Sequence, residues 1–155
     1  MKKICLFLLV SVFSFAVFSQ TVVKTTLNTS TVEQNYFKYT GSAADTLNAS
    51  LDSIQFPIKV TQNFTYKIDL SANFNKRSGA DTLIIMTLYG KKFEDEASWT
   101  RLTSGHSANV TGAIQSTLSY GTAVQYRYLK VVFQIAGTKS TGVKITKWEL
   151  KLWNQ

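Results

Sequence analysis

The stretch that most limits what this chain can become runs from Tyr126 to Trp153. Leu129, Val131, Phe133 and Ile135 share one parity, and Tyr128, Lys130 and Gln134 share the other. Side chains of a strand point alternately to its two faces, so the pattern calls for a half-buried strand. Ala136 to Gly142 is small and polar with a glycine near each end, which predicts a turn into a second strand and hence a hairpin. That second strand changes parity midway. Val143 and Ile145 are apolar at odd positions, whereas Trp148, Leu150 and Leu152 are apolar at even ones. A one-residue slip inverts every side chain, so the switch predicts a β-bulge near Thr146-Lys147 or a passage from one sheet to another there. Glu149, Lys151 and Trp153 then point outward.

The rest of the chain repeats the theme with shorter strands. Thr21 to Thr31 is threonine-rich, with Val22, Val23 and Leu27, and suits a first strand or an extended arm. Val32 to Thr40 predicts a second strand with Tyr36, Phe37 and Tyr39 as bulk. Gly41 to Ser53 is open between a loop and a short helix capped by Ser42, since Ala43, Ala44, Leu47 and Leu51 stand at helical spacing. Ile54, Phe56, Ile58 and Val60 alternate, as do Phe64, Tyr66, Ile68 and Leu70, which predicts two antiparallel strands. Pro57 cannot donate to a ladder and places the first of them at an edge. Ser71 to Asp81 reads as a polar loop. Leu83-Ile84-Ile85-Met86 is apolar on both parities, as a central strand covered on both sides requires. A charged turn over Gly90 to Ser98 and a short strand over Trp99 to Leu102 follow. Thr103 to Gly112 reads as a loop, and Ala113 to Tyr120 as a strand with Ile114, Leu118 and Tyr120 on one parity. The total is about eight to ten short strands without repeat, heptad or long helix. It predicts an all-β fold, a two-sheet antiparallel β-sandwich or jelly roll.

The N-terminus predicts an address. Met1-Lys2-Lys3 is basic, Ile4 to Phe18 is apolar except for Ser11 and Ser14, and Val17-Phe18-Ser19 offers residues a signal peptidase accepts. This is the pattern of a cleaved secretory signal over residues 1–19, of bacterial character, ahead of one domain over 20–155. An apolar core of about 15 residues is short for a membrane anchor, which needs about 20. Secretion, a cell-surface location or the periplasm follows, with the membrane involved only before cleavage. Cys5 leaves with the signal, so the mature chain has no thiol, disulfide or thiolate metal site and must rest on a packed core. Loss of Lys2 and Lys3 takes the formal charge from +8 to +6. That sign favours acidic polymers in general. The lysines, however, stand singly apart from Lys76-Arg77 and Lys91-Lys92, which argues against a dedicated nucleic-acid site.

Arg127-Tyr128-Leu129-Lys130-Val131, a turn, Val143 to Ile145 and Trp148-Glu149-Leu150-Lys151-Leu152 resemble the C-terminal half of the discoidin-like, galactose-binding jelly rolls. Leu83 to Gly90 followed by Trp99-Thr100-Arg101-Leu102 is similar to that family's strand, charged turn and W-T pair. The resemblance covers Thr82 to Trp153. It departs from better-known members in lacking a terminal cysteine pair. It implies an eight-stranded jelly roll whose end loops bind glycans or other surface ligands, without naming the ligand.

Few residues offer chemistry. His106 is the single histidine and the only ready general base, but no serine and acid are aligned with it as a triad requires. The acids stand in loops or on outward strand positions, which speaks against a paired-carboxylate hydrolase. Glu94-Asp95-Glu96 lacks a calcium-loop pattern. Four N-x-S/T sequons, at Asn28, Asn48, Asn63 and Asn109, carry no weight in a bacterial export product. No catalytic residue, metal or cofactor is expected. Sugar sites use aromatic platforms flanked by hydrogen-bonding side chains, and Trp99, Arg101, His106, Asn109 and Tyr120 are the candidate ligand-binding set. The alternative is that Trp99 lies in the core. The expected function is a non-enzymatic, exported binding or adhesion module whose partner is a glycan or a surface protein. The alternative is a structural subunit of a fibre, matrix or virion surface. Either leaves a homo-oligomer open.

Overall fold

A computed structural model describes residues 21–23, 36–41, 46–48, 52–60, 65–77, 82–136 and 142–154. The signal segment, Asn28 and Asn63 lie outside the described residues. Eleven strands are described: β1 Thr21–Val23, β2 Tyr36–Thr40, β3 Thr46–Leu47, β4 Ser53–Lys59, β5 Tyr66–Lys76, β6 Thr82–Lys91, β7 Thr100–Arg101, β8 His106–Val110, β9 Ala113–Val124, β10 Tyr128–Ala136 and β11 Val143–Asn154. They form two sheets. Sheet A runs β1-β4-β10-β6-β7, with β8 also against β6, and sheet B runs β2-β11-β5-β9, with β3 against β11. Every pairing is antiparallel except β1 with β4. The expected all-β sandwich of jelly-roll class is therefore the fold.

The inward parities build the core. Leu129, Val131, Phe133 and Ile135 of β10 are fully buried, as their spacing predicts. Both sheets send aromatic rings into the space between them. Phe56 of β4 and Phe133 of β10 meet Tyr39 of β2, Phe74 of β5 and Trp148 of β11, with Phe56 centred 4.7 Å from Tyr39 and 5.2 Å from Trp148. Phe133 lies 5.8 Å from Phe56 and 5.7 Å from Phe74. Tilted and edge-on contacts of this kind add to the gain from burial. The Trp148 indole N–H meets no hydrogen-bond partner among the described residues.

The parity switch in β11 is a bulge. Its register against β5 jumps between Ile145 and Lys147, so Ile145 and Trp148 both reach the core. Thr146 is left unpaired in that ladder, and its hydroxyl donates to the Asn73 carbonyl at 3.0 Å. Gly41 packs on the same point, with its N–H on the Thr146 carbonyl at 2.8 Å. A Cβ there would stand 1.9 Å from the Ile145 carbonyl oxygen, so only glycine fits.

Several expectations are corrected. Tyr126 to Trp153 is not a hairpin, because β10 lies in sheet A and β11 in sheet B; the strands face one another across the core. The same holds for Ile54 to Leu70, since β4 and β5 belong to opposite sheets. Alternation fixes which face is buried but does not name the neighbour, and a sandwich chain often changes sheet between consecutive strands. Ser71 to Lys76 is not loop but the continuation of β5, with Ala72 and Phe74 buried. His106 to Val110 is the strand β8 rather than loop. Within Gly41 to Ser53 the described residues include the strand β3, and Ser42, Ala43, Ala44 and Leu51, on which the helix alternative rests, lie outside the described residues. β4 as a whole lies between β1 and β10, and among the described residues Pro57 itself is paired only with Lys130 of β10.

Candidate functional site

Two outer faces remain once the core is assigned, and they differ in chemistry. On sheet B, Asp69 and Ser71 of β5, Gln115, Thr117 and Ser119 of β9, and Glu149, Lys151 and Trp153 of β11 have outward parity. The ladders set them side by side: Asp69 opposite both Ser119 and Lys151, and Ser71 opposite both Thr117 and Glu149. They line a groove of about 390 Å³ across three strands, with Leu70 at its floor. Trp153 is 51% exposed at its side. Its indole N–H donates to the Asp69 carboxylate, and the Gln115 amide donates to the Ser71 hydroxyl at 2.7 Å. Glu149 is held below the ordinary carboxylate range, first by its bond to Lys147 and then by one from Tyr36. It is an ionised acceptor rather than a proton donor. The groove thus presents one broad ring edge-fixed by a carboxylate, together with hydroxyl, amide, carboxylate and ammonium groups at its rim.

On sheet A the outward residues make a ladder of cations and rings. Tyr128 stands between Lys59 and Lys91 in one rung, and Tyr89 between Lys130 and Arg101 in the next. Trp99, just before β7, joins them. Lys130 Nζ lies 4.8 Å from the Trp99 ring centre and 5.0 Å from that of Tyr89. Lys91 Nζ lies 5.1 Å from Trp99 and 5.6 Å from Tyr128, and Lys59 lies 5.7 Å from Tyr128. Burial and then the neighbouring Lys91 hold Lys130 below the usual lysine range. The acidic turn braces this face. Glu94 accepts from the Tyr128 hydroxyl at 2.9 Å, Lys91 Nζ donates to the Glu94 carbonyl at 2.6 Å, and the Lys92 N–H donates to the Glu96 carboxylate at 3.1 Å.

Of the residues singled out by sequence, Trp99 and Arg101 come together here. Trp99 is half-buried at the surface and stands outside the core cluster. Arg101 donates to the Ser104 carbonyl and so shapes the tight turn at Gly105, whose φ of 94° favours glycine. Asn109 shares the outer face but pairs with Leu83, at the far end of β6 from Tyr89. His106 is exposed at the sandwich side, its Nε2 sharing a hydrogen bond of 3.1 Å with Ser116 of β9. Tyr120 points inward from sheet B and packs against the core. Of the groove residues, Asp69 is one of the acids read from the sequence as outward, and neither it nor Ser71, Gln115, Thr117 or Ser119 is among the sequence's ligand-binding candidates. Their signal was present, since the polar odd positions of β5 continue past Leu70. Asn73 and Asn75 are also turn formers and hid it.

Among the described residues no three His, Cys, Asp or Glu side chains gather in a way that could hold a metal, and no helix is long and apolar enough to cross a membrane. No protein-family model matches the sequence, and neither does any curated protein. The fold is similar to the CBM22-1 xylan-binding domain from Paenibacillus barcinonensis Xyn10C, at TM-score 0.50 and 7% identity, covering 77% of this chain and 94% of that one. It is likewise similar to a chain of the infectious bursal disease virus Gx strain, at TM-score 0.52 and 8% identity over 77% of this chain and 33% of that one. A chain of that virus's T13 particle gives TM-score 0.51 and 12% identity over 77% and 31%. This chain spans about a third of each viral chain. At such identities the likeness shows the fold alone.

Proposed function

We propose that the protein is an exported, non-catalytic glycan-binding module that seats a saccharide in the sheet B groove. The observation that carries this reading is the composition of the groove. Trp153 offers an open ring for the C–H face of a sugar, and Asp69, Ser71, Gln115, Glu149 and Lys151 offer donors and acceptors for its hydroxyls. The groove crosses three strands, so a chain rather than a single sugar would fill it. Ionised Glu149 suits an acceptor and not the acid of a hydrolase, which needs a raised pKa. The xylan-binding neighbour supports the same class of partner, and residues 1–19 support export. A glycan array with the purified chain is the test. Binding to at least one neutral polysaccharide, lost in Trp153→Ala and Gln115→Ala but kept in Trp99→Ala, is the expected result. No glycan ligand at all would overturn the proposal.

A second reading, a building block of a surface assembly, rests on β9. This strand lies at the edge of sheet B, and Ala113 to Val124 holds no charged residue and no proline. Edges are usually protected by such residues. Light scattering that finds a defined oligomer, with no glycan bound, selects this reading.

A further inference from the structure

The ladder on sheet A is not explained by the groove on sheet B, and its chemistry points elsewhere. Four cations, Lys59, Lys91, Arg101 and Lys130, surround three rings, and Lys59, Lys91 and Lys130 all stand within 6 Å of a ring centre. The rings are half-buried and their faces are taken by ammonium groups. They hold the lysines in place and are not free to stack on a ligand. Lysines fixed in advance lose less side-chain freedom on binding. Lys130 has no carboxylate partner among the described residues, and the charge that acts on it is that of Lys91, of like sign. Glu94 is engaged by the Tyr128 hydroxyl, and Lys91 Nζ is held by the backbone carbonyls of Glu94 and Glu96. Four cations thus face a single carboxylate bonded into the ladder, that of Glu94.

We propose that the outer face of sheet A is a second binding surface, for an acidic polysaccharide whose carboxylate or sulfate groups seat among Lys59, Lys91, Arg101 and Lys130. The spacing fits a polymer with regularly placed charges. Lys59 and Lys91 flank Tyr128 from adjacent strands, and Lys130 and Arg101 flank Tyr89 in the same way, so each pair of backbones is about 10 Å apart, twice the strand spacing. Two parallel rows of cations result. A single-stranded nucleic acid is the weaker fit, because such sites stack bases on open rings, and here ammonium groups cover them. With a groove on one sheet and this surface on the other, one molecule could hold two different polymers on opposite sides.

Affinity electrophoresis of the full chain tests this, with polygalacturonate, dextran sulfate, neutral dextran and a single-stranded oligonucleotide as probes. The parent is expected to bind at least one acidic polymer and to ignore neutral dextran. The arm that binds distinguishes carboxylate from sulfate ester. A Lys91→Gln, Lys130→Gln double variant is expected to bind about tenfold or more weakly. Lys38→Gln, Lys67→Gln removes the same charge from sheet B and is expected to stay within twofold of the parent. Equal losses in the two double variants would reduce the effect to net charge and overturn the proposal. So would failure to bind either acidic polymer, or preference for the oligonucleotide. If the first double variant does not fold, acetylation of the parent decides. Selective protection of Lys91 and Lys130 over Lys67 by the bound polymer supports the site, and its absence contradicts it.

Discussion

The two outer faces of this sandwich are built on the same plan, three or more antiparallel strands with alternate residues outward, and they end in opposite chemistry. On sheet A every ring is occupied by an ammonium group, and the outermost layer is positive. On sheet B the single outward indole, Trp153, keeps its N–H on Asp69 while no ammonium group stands over its face among the described residues; hydroxyls, an amide, carboxylates and the Lys151 ammonium line the groove with it. The inner faces show no such contrast, because both are apolar and interlock through Phe56, Phe74, Phe133 and Trp148. The scaffold therefore fixes position, and the outward parity decides which partner each face can take.

The comparison breaks most completely if the shared core is removed. Trp148→Ala deletes a fully buried indole in contact with both sheets and is expected to cost about 3–5 kcal/mol, measured by denaturant unfolding. Both faces should then lose binding together. A smaller and one-sided effect is expected from Gly41→Ala. Its Cβ would clash with the Ile145 carbonyl, costing roughly 1–3 kcal/mol as an overpacked site does. Because Gly41 braces the bulge that sets the register of Glu149, Lys151 and Trp153, groove binding should weaken while binding at sheet A is retained.

Tyr66 gives a pH-dependent link between the two halves. It is buried, and its hydroxyl donates to the Tyr126 carbonyl. Burial raises its pKa well above the ordinary 10.0, with the backbone bond opposing in part. A raised pKa contributes stability that is fully present below the unfolded value and is lost as pH rises from there toward the folded one. Melting temperature is therefore expected to fall above pH 10, and Tyr66→Phe should remove that alkaline component while costing about 1 kcal/mol at neutral pH. The smallest effect belongs to Lys147→Ala. The Lys147–Glu149 pair is partly exposed, and such pairs contribute about 0–1 kcal/mol. Its depressed carboxyl contributes stability above the ordinary carboxylate pKa that is lost as pH falls below it, and the variant should be flatter in that acid window.

The inner half of the fold was legible and the outer half was not, for one physical reason. Burial imposes apolar residues at strict alternation, so Leu129 to Ile135 and the parity switch at Thr146-Lys147 could be read directly. Neighbours across a ladder leave no mark in the sequence. Lys59, Lys91, Arg101 and Lys130 stand far apart in the chain, and only the register of β4, β10, β6 and β7 gathers them. That most lysines stand singly in the sequence speaks against a dedicated nucleic-acid site but does not tell which of them share a face. Trp99 and Arg101 are sugar-ligand candidates from the sequence, and the fold sets Trp99 under Lys91 and Lys130 and Arg101 beside Ser104. Asp69, Glu149 and Trp153 were recognised as outward. Their joining with Ser71 and Gln115 required knowing that β5 runs on to Lys76.

The chain has three tryptophans, one on each outer face and one in the core, and the indole N–H resonances of Trp99, Trp148 and Trp153 in a nitrogen-15-labelled sample report on all three at once. Titration with a neutral oligosaccharide found on the array is predicted to shift the Trp153 resonance and leave Trp99 and Trp148 in place. A neutral ligand that shifts Trp99 and not Trp153 would contradict the assignment of the glycan site to the sheet B groove.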